Sequence, residues 1–380
     1  MLTKTPDNGR VSIAHLPTPV HKFPMHQNNK IDTLMVKRDD MSGGVELGGN
    51  KIRRIEFLLA DALQTGCDCV VTIGGSDQSN QCRATAVASR MVGLEPHLIL
   101  RTCDKKVDCN TKLGYTGSLL YGRMAGARIH TVTKDEYTRI GSTALLDIVC
   151  NKLRSEGKKP YPIPVRSQGK TPDAPPAGGT KNAIGTWGYI EAARELKDQM
   201  QASQQKLDHI VLACGSGGTI AGLTIGIALA YANEVHKPKV HGIGVCNDPD
   251  YFYREVYHIG KDLGMFADVS REEGLNEVKE WVTIYQGQGL GYATSAPEEL
   301  SFCRQFCWDT GISLDPVYSG KALYHFMTNV LPNDVTGQFE GDSDNIIFWH
   351  TGGSLGLFDK CDEMQNDLLE NSPLHRVEIE

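Results

Sequence analysis

No apolar run in this chain reaches the length of a membrane-spanning helix. The opening residues, Met1-Leu2-Thr3-Lys4-Thr5-Pro6-Asp7, carry neither the apolar stretch of a secretory signal nor an Arg-rich amphipathic helix. The expectation is a cytosolic protein without a membrane partner. Basic residues are not in excess: 39 Lys and Arg stand against 46 Asp and Glu, for a net charge of −7. That balance offers no footprint for nucleic acid. The eleven cysteines include no CxxC pair. Cys67 and Cys69 lie two apart, Cys303 and Cys307 sit at i, i+4 on a predicted helix, and neither spacing matches a recognised zinc finger. No metal is expected, and the thiols read as reduced and mostly buried. Internal repeats and low-complexity tracts are also missing.

What is present is a globular composition, 40% hydrophobic and 22% charged, over 380 residues. That length suits two packed domains. Strand-like runs at Val70–Ile73, His97–Leu100, Arg128–Val132, Ile210–Ala213, Lys239–Val245 and Ile346–Trp349 alternate with helical stretches near Asn80–Arg90, Ser142–Arg154, Gly188–Met200 and Ile220–Ala232. This order predicts an α/β fold of open, mostly parallel sheets with helices on both faces. The Pro- and Gly-rich segment Arg166–Gly179 reads as a linker. The predicted division is a large domain of residues 1–54 and 173–380 with a small α/β domain, 55–172, inserted in it.

Five constellations carry candidate chemistry. Gly48-Gly49-Asn50-Lys51 leads into Ile52, Ile55, Leu58, Leu59 and Ala62 at helical spacing, so Lys51 stands at a helix N-terminus. The positive end of the helix dipole disfavours its charged form, as a nucleophilic lysine requires. The plainer alternative is a solvated surface lysine. Gly74-Gly75-Ser76-Asp77-Gln78-Ser79-Asn80-Gln81 joins a strand to a helix. Ligands bind at such junctions in open α/β sheets, although Ser79 could equally be a simple N-cap. Cys214-Gly215-Ser216-Gly217-Gly218-Thr219 places consecutive N–H groups at another helix start. Ile220 breaks the G-x-G-x-x-G dinucleotide pattern, and Ala322 after Gly320-Lys321 breaks a Walker A loop, which leaves a phosphate cup of another kind or a tight turn. Leu314-Asp315-Pro316-Val317-Tyr318-Ser319-Gly320-Lys321 and His350-Thr351-Gly352-Gly353 add hydroxyls at two further junctions. A lysine, a phosphate seat and several hydroxyl donors together suit pyridoxal 5′-phosphate.

Leu16-Pro17-Thr18-Pro19, Lys37-Arg38-Asp39-Asp40, Gly49-Asn50-Lys51, Gln78-Ser79-Asn80 with Cys82-Arg83-Ala84-Thr85-Ala86, Gly215–Thr219 and Asp315–Lys321 resemble, in this order, the D-cysteine desulfhydrase and 1-aminocyclopropane-1-carboxylate (ACC) deaminase family. The resemblance runs from about Leu16 to Lys360, and Gly185-Thr186-Trp187-Gly188-Tyr189-Ile190-Glu191-Ala192-Ala193 is similar to the plant-type desulfhydrases. It implies a tryptophan-synthase-β-like (type II) pyridoxal-phosphate fold and a homodimer. It also implies that Lys51 is the Schiff-base lysine and that Asn50 belongs to the cofactor site. Asn80 would bond the cofactor phenolate, Gly215, Ser216, Gly217, Gly218 and Thr219 the phosphate, and Ser319 with Thr351 the ring nitrogen. The substrate, a small amino acid, would meet Ser79, Asn80, Gln81, Tyr292 and Tyr318.

Ser319 and Thr351 resemble the desulfhydrase pair, where deaminases carry Glu and Leu. A neutral hydroxyl at the ring nitrogen suffices when a Cα proton and a thiolate leave, whereas opening a cyclopropane demands a stronger electron sink. Gly49 and Gln81 look more like the deaminase versions of their motifs, and the stretches Gly43-Gly44-Val45 and Ser76-Asp77 each run one residue longer than usual. Arg166–Ala177 looks like an insertion. The leading expectation is conversion of D-cysteine to pyruvate, ammonia and hydrogen sulfide. ACC deaminase, a broader amino-acid ammonia-lyase or racemase, a cofactor-binding protein without catalysis and a nucleotide-binding module are the alternatives.

Overall fold

A computed structural model describes residues 6–24, 31, 33–74, 78–102, 115–164, 179–334, 337–339, 345–372 and 376–377. The chain begins with β1 (Val20–Pro24) and β2 (Thr33–Arg38), then α1 (Lys51–Gln64), β3 (Cys69–Gly74), α2 (Asn80–Met91) and β4 (Glu95–Thr102). It continues through α3 (Gly117–Met124), β5 (Arg128–Thr133), α4 (Lys134–Ile140), α5 (Ser142–Ser155) and β6 (Pro160–Ile163). The second half holds α6 (Gly179–Ala202), β7 (His209–Cys214), α7 (Gly218–Ala230), β8 (Lys239–Gly244), α8 (Pro249–Asp262), α9 (Arg271–Trp281) and β9 (Val282–Gln286). The last elements are α10 (Pro297–Thr310), α11 (Ser319–His325), β10 (Ile346–His350) and α12 (Cys361–Asn371).

Two sheets result, one six-stranded in the order β1-β2-β10-β7-β8-β9 and one four-stranded in the order β5-β4-β3-β6. Every described pairing is parallel except β1 against β2. Alternation along the strands builds a core on each face of the large sheet. Ile210, Leu212, Ile347 and Trp349 face one cluster, and Val211, Ala213, Ile346 and Phe348 face the other. The strands are buried on both faces, which is why they read as continuous apolar runs rather than alternating ones.

Three helices that reach the site pack at backbone distance. A Cβ on Gly188 of α6 would lie 2.1 Å from the Arg53 carbonyl oxygen of α1. A Cβ on Gly222 or Gly226 of α7 would lie 2.5 Å from Tyr189 Cβ or 2.7 Å from Ala193 Cβ of α6. Glycine is needed wherever backbones approach this closely. A buried ionic cluster fixes the start of α1 from below. The Arg53 guanidinium grips Asp39 at 2.9 and 2.7 Å and Glu195 at 3.0 and 2.9 Å. Lys37 Nζ reaches Glu195 at 2.5 Å, and the Trp349 indole donates to Asp39 at 2.8 Å.

The predicted strands and helices are found, with one extension: α6 starts at Gly179 rather than Gly188. The Arg166–Gly179 linker lies outside the described residues up to position 178, as do Gly75, Ser76 and Asp77. Cys303 and Cys307 do share one helix, α10, with Cys303 buried.

Candidate active site

A cavity of about 760 Å³ opens between the sheets, at the C-terminal ends of their parallel strands. Ile73 and Gly74 of β3 and Arg101 of β4 line one side, and Ala213 and Cys214 of β7 with Cys246 and Thr351 beyond β8 and β10 line the other. Asn50, Lys51, Ser79, Asn80, Gln81, the Gly215–Thr219 loop, Tyr292, Tyr318 and Thr351 all face it. Residues from six separate stretches of sequence therefore meet in one place.

Lys51 is the first residue of α1. Its position is set by main-chain bonds: Gly49 N–H donates to Asp39 O at 3.0 Å, and Asn50 N–H to Thr351 O at 3.0 Å. Gly49 has φ +121°, and a Cβ on Gly352 would lie 2.5 Å from its Cα, so glycine at both positions lets the two loops approach this closely. Burial lowers the Lys51 pKa from 10.5 to about 8, the nearby Arg54 guanidinium adds to that, and Asp315 opposes it. Loss of hydration, rather than a helix dipole, is the main cause.

The Gly215–Thr219 loop runs from β7 into α7, whose first N–H groups have no intrahelical acceptor. Gly217 has φ +87°, and its Cβ would press on Glu255 at 3.0 Å. A Cβ on Gly215 would strike the Tyr318 ring at 2.8 Å, while one on Gly218 would meet nothing within 4 Å. The result is an open cradle of donors. Asn50 Nδ2 bonds Thr219 Oγ1 at 2.9 Å and so couples the start of α1 to the start of α7.

On the facing side, Ser79 is the N-cap of α2, accepting from Cys82 N–H at 3.3 Å, while it also lines the cavity. The N-cap and ligand readings of Ser79 are thus compatible. Asn80 Oδ1 is buried without a hydrogen-bond partner among the described residues. Gln81 is engaged by Thr85 at 3.3 Å and Arg54 at 3.4 Å. The phenols of Tyr292 and Tyr318 are 2.7 Å apart, and burial raises both pKa values. One phenol must donate to the other, so the pair keeps a single proton free to point elsewhere.

Ser319 departs from the expectation. It is fully buried and does not line the cavity. Its Oγ lies 3.3 Å from Thr351 Oγ1 and 3.2 Å from His350 Nδ1. His350 Nε2 faces the Ser313 carbonyl at 3.1 Å, and Nδ1 accepts from Gly352 N–H at 3.2 Å. The ring is therefore the Nε2–H tautomer, with Nδ1 an acceptor for Ser319. Thr351 is the hydroxyl that faces the cavity, backed by Ser319.

The sequence reading missed Asp315, Arg54, Arg101, Tyr137 and Tyr189 as lining residues. Asp315 was visible within its motif. Its carboxylate accepts from Val317, Tyr318 and Ser319 N–H at 3.0, 2.7 and 2.8 Å. Arg101, stacked 5.6 Å over Tyr137, belongs to a strand that carries no motif.

Residues 11–352 match the family model of the pyridoxal-phosphate dependent enzymes. The chain belongs to that family. The enzyme is 45% identical, over 93% of its length and 80% of the relative's, to the mitochondrial bifunctional D-cysteine desulfhydrase/1-aminocyclopropane-1-carboxylate deaminase of Arabidopsis thaliana. It is 28% identical to the 1-aminocyclopropane-1-carboxylate deaminase of Burkholderia cenocepacia, over 90% of this chain and 93% of that one. Among solved structures it is similar to an ACC deaminase homologue with a TM-score of 0.72 and 30% identity, covering 94% of this chain and 95% of the other. The cofactor is pyridoxal 5′-phosphate, and the site fits it. The cradle at α7 offers N–H donors to a phosphate, Lys51 offers an amine with a lowered pKa, and Asn80 has unused bonding capacity. A Cβ on Gly353 would crowd Asn80 Nδ2 at 2.9 Å and Asp315 Cγ at 3.0 Å, so glycine there keeps the space between them clear.

Proposed function

We propose that the enzyme eliminates the β-substituent of a small amino acid and that D-cysteine is its substrate, water being consumed as pyruvate, ammonia and hydrogen sulfide form. The carrying observation is a lysine with its pKa lowered to about 8, facing a glycine cradle in a cavity of about 760 Å³. The bound cofactor supplies an electron sink for the carbanion formed when Cα loses its proton.

The residues divide that work. Lys51 Nζ would hold the cofactor, and the same amine is placed to take the Cα proton of a bound substrate. With its pKa lowered to about 8, roughly half of it is neutral at that pH, where almost none of an ordinary lysine would be. Gly215–Thr219 and Asn50 seat the phosphate at the positive end of α7. Asn80, with a buried Oδ1 that has no partner among the described residues, would bond a polar group of the cofactor. Ser79, Asn80 and Gln81 at the start of α2 receive the substrate carboxylate. The Tyr292–Tyr318 pair delivers its free phenol proton to the departing sulfur. Thr351, with Ser319 and His350 behind it, presents a neutral hydroxyl to the ring nitrogen.

That neutral environment supports elimination over ring opening, which is why D-cysteine is placed before ACC. The plant relative's name covers both activities, so ACC is the second reading. The deciding experiment assays pyruvate, 2-oxobutanoate and sulfide with D-cysteine, L-cysteine and ACC. Sulfide and pyruvate from D-cysteine are expected. Rapid 2-oxobutanoate from ACC without sulfide from D-cysteine would reverse the order. A homodimer in the cytosol completes the proposal, checked by light scattering and cell fractionation, the latter because the plant relative is named as mitochondrial.

A further inference from the structure

We propose that Lys321 is a positioning residue whose buried ammonium acts as a built-in cation, fixing the loop that carries Tyr292 against Tyr318. The proposal rests on the reading of Tyr292 as part of the reacting site.

Residues 287–296 link β9 to α10 without strand or helix. After Gly287, the loop's own backbone bonds are two short turns, Gly291 N–H to Gln288 O at 3.0 Å and Thr294 N–H to Gly291 O at 3.2 Å. Three of its residues lie in the left-handed region: Gly289 at φ +56°, Gly291 at +125° and Ala293 at +62°. A side-chain-bearing residue such as Ala293 adopts that conformation only when its surroundings impose it. Two isolated turns do not impose it.

Lys321 does. Its side chain, 1% exposed, extends from α11 and donates to Gln288 O at 3.0 Å, Gly291 O at 3.1 Å and Thr294 O at 2.7 Å. Three carbonyl acceptors use all three N–H bonds of an ammonium. Glu299 Oε2, at 3.4 Å, balances the charge. Gln288 O and Gly291 O are also the acceptors of the two turns, so the ammonium clamps each turn at its own carbonyl. Thr294 O lies beyond Tyr292, so the clamp brackets it on both sides. Tyr318, the residue before α11, sits three positions ahead of Lys321. One short element therefore supplies one phenol of the pair and the cation that sets the other, which fixes the 2.7 Å separation.

The test uses the cofactor-loaded enzyme with Lys321→Met, which keeps the chain length without charge, and Lys321→Ala, which leaves a space. In Lys321→Met, amide exchange across 287–296 should rise about tenfold or more while β7 and β10 are unchanged. The visible absorbance of the bound cofactor should persist, and kcat should fall about tenfold or more with a smaller change in KM. Ammonium or methylammonium chloride should restore part of the kcat of Lys321→Ala relative to sodium chloride at equal ionic strength. It should not help Lys321→Met, whose side chain fills the cage. Adding Tyr292→Phe to Lys321→Met should cost no more than the larger single loss. Unchanged exchange in a folded Lys321→Met, an unaltered kcat, or losses that simply add would each overturn the proposal. If Tyr292→Phe alone leaves kcat intact, the role of Tyr292 in the reaction fails, and the exchange measurement still decides the clamp.

Discussion

The two walls of the cavity are made of different material. On the side of the six-stranded sheet, the contacts are main chain on main chain: Gly49 against Gly352, Asn50 N–H on Thr351 O, and the glycine cradle at α7. On the side of the four-stranded sheet, the surface is side chains: Ser79, Asn80 and Gln81 on α2, then Arg101 over Tyr137. Backbone geometry cannot be adjusted by one substitution without strain, whereas side chains can be exchanged singly. The first wall is suited to an invariant ligand and the second to a ligand that differs among relatives.

The sharpest way to break this contrast is Lys51→Ala. Turnover should fall by roughly 10²–10⁴-fold, and the borohydride-reducible linkage should vanish while some cofactor stays in the cradle. Recovery of a reducible linkage at another lysine, such as cavity-lining Lys360, would show that the cofactor wall has been misassigned.

Titration comes next. The folded pKa of Lys51 lies near 8, below its ordinary 10.5, so the fold disfavours the charged form. The penalty is complete below pH 8, fades as pH rises from 8 to 10.5, and is gone above. Cofactor-free wild type, measured against Lys51→Met by chemical denaturation, should gain up to about 3 kcal/mol across that window. A flat difference would mean that Lys51 is hydrated.

Gly217→Val tests the cradle. A β-branched residue at φ +87°, pressed on Glu255, should cost about 1–2 kcal/mol in the seat, and so about tenfold in cofactor affinity by equilibrium dialysis. The strain comes from the positive φ and from Glu255. The gentlest change is Ser319→Glu with Thr351→Leu. It should lower elimination from D-cysteine by about tenfold or less, since the carboxylate must fit beside His350 in a fully buried position. An increase in sulfide release would detach this pair from substrate choice.

The two walls were also unequally legible. Lys51 and the cradle each had a plainer alternative and were legible through their combination, glycines beside two helix starts with a lysine at one, and most of the buried strands were visible as apolar runs. Strands β1, β2, β6 and β9 were not, being short or bounded and interrupted by proline and polar residues. Arg101 could not be found, because an arginine at a strand end looks like any surface residue until the sheets are brought together. Ser319 was placed at the ring nitrogen by its motif, yet its position behind Thr351 depends on His350, 3.2 Å away in space but 31 residues along the chain. The Lys37-Arg38-Asp39-Asp40 motif was legible only as a pattern. Its physical reason is the ionic cluster under α1.

An amine with a pKa lowered to about 8, at the edge of a cavity open to metabolites, is a hazard as well as a tool. Without its cofactor, Lys51 would condense with passing aldehydes and with 2-oxo acids, losing water to form imines, and the pyruvate expected from D-cysteine is one of these carbonyl compounds. The cofactor then serves as a protecting group for the nucleophile it depends on. Storage of the chain without it, in the presence of carbonyl compounds, should leave imines at Lys51 that become permanent only when borohydride is added and that added cofactor otherwise displaces.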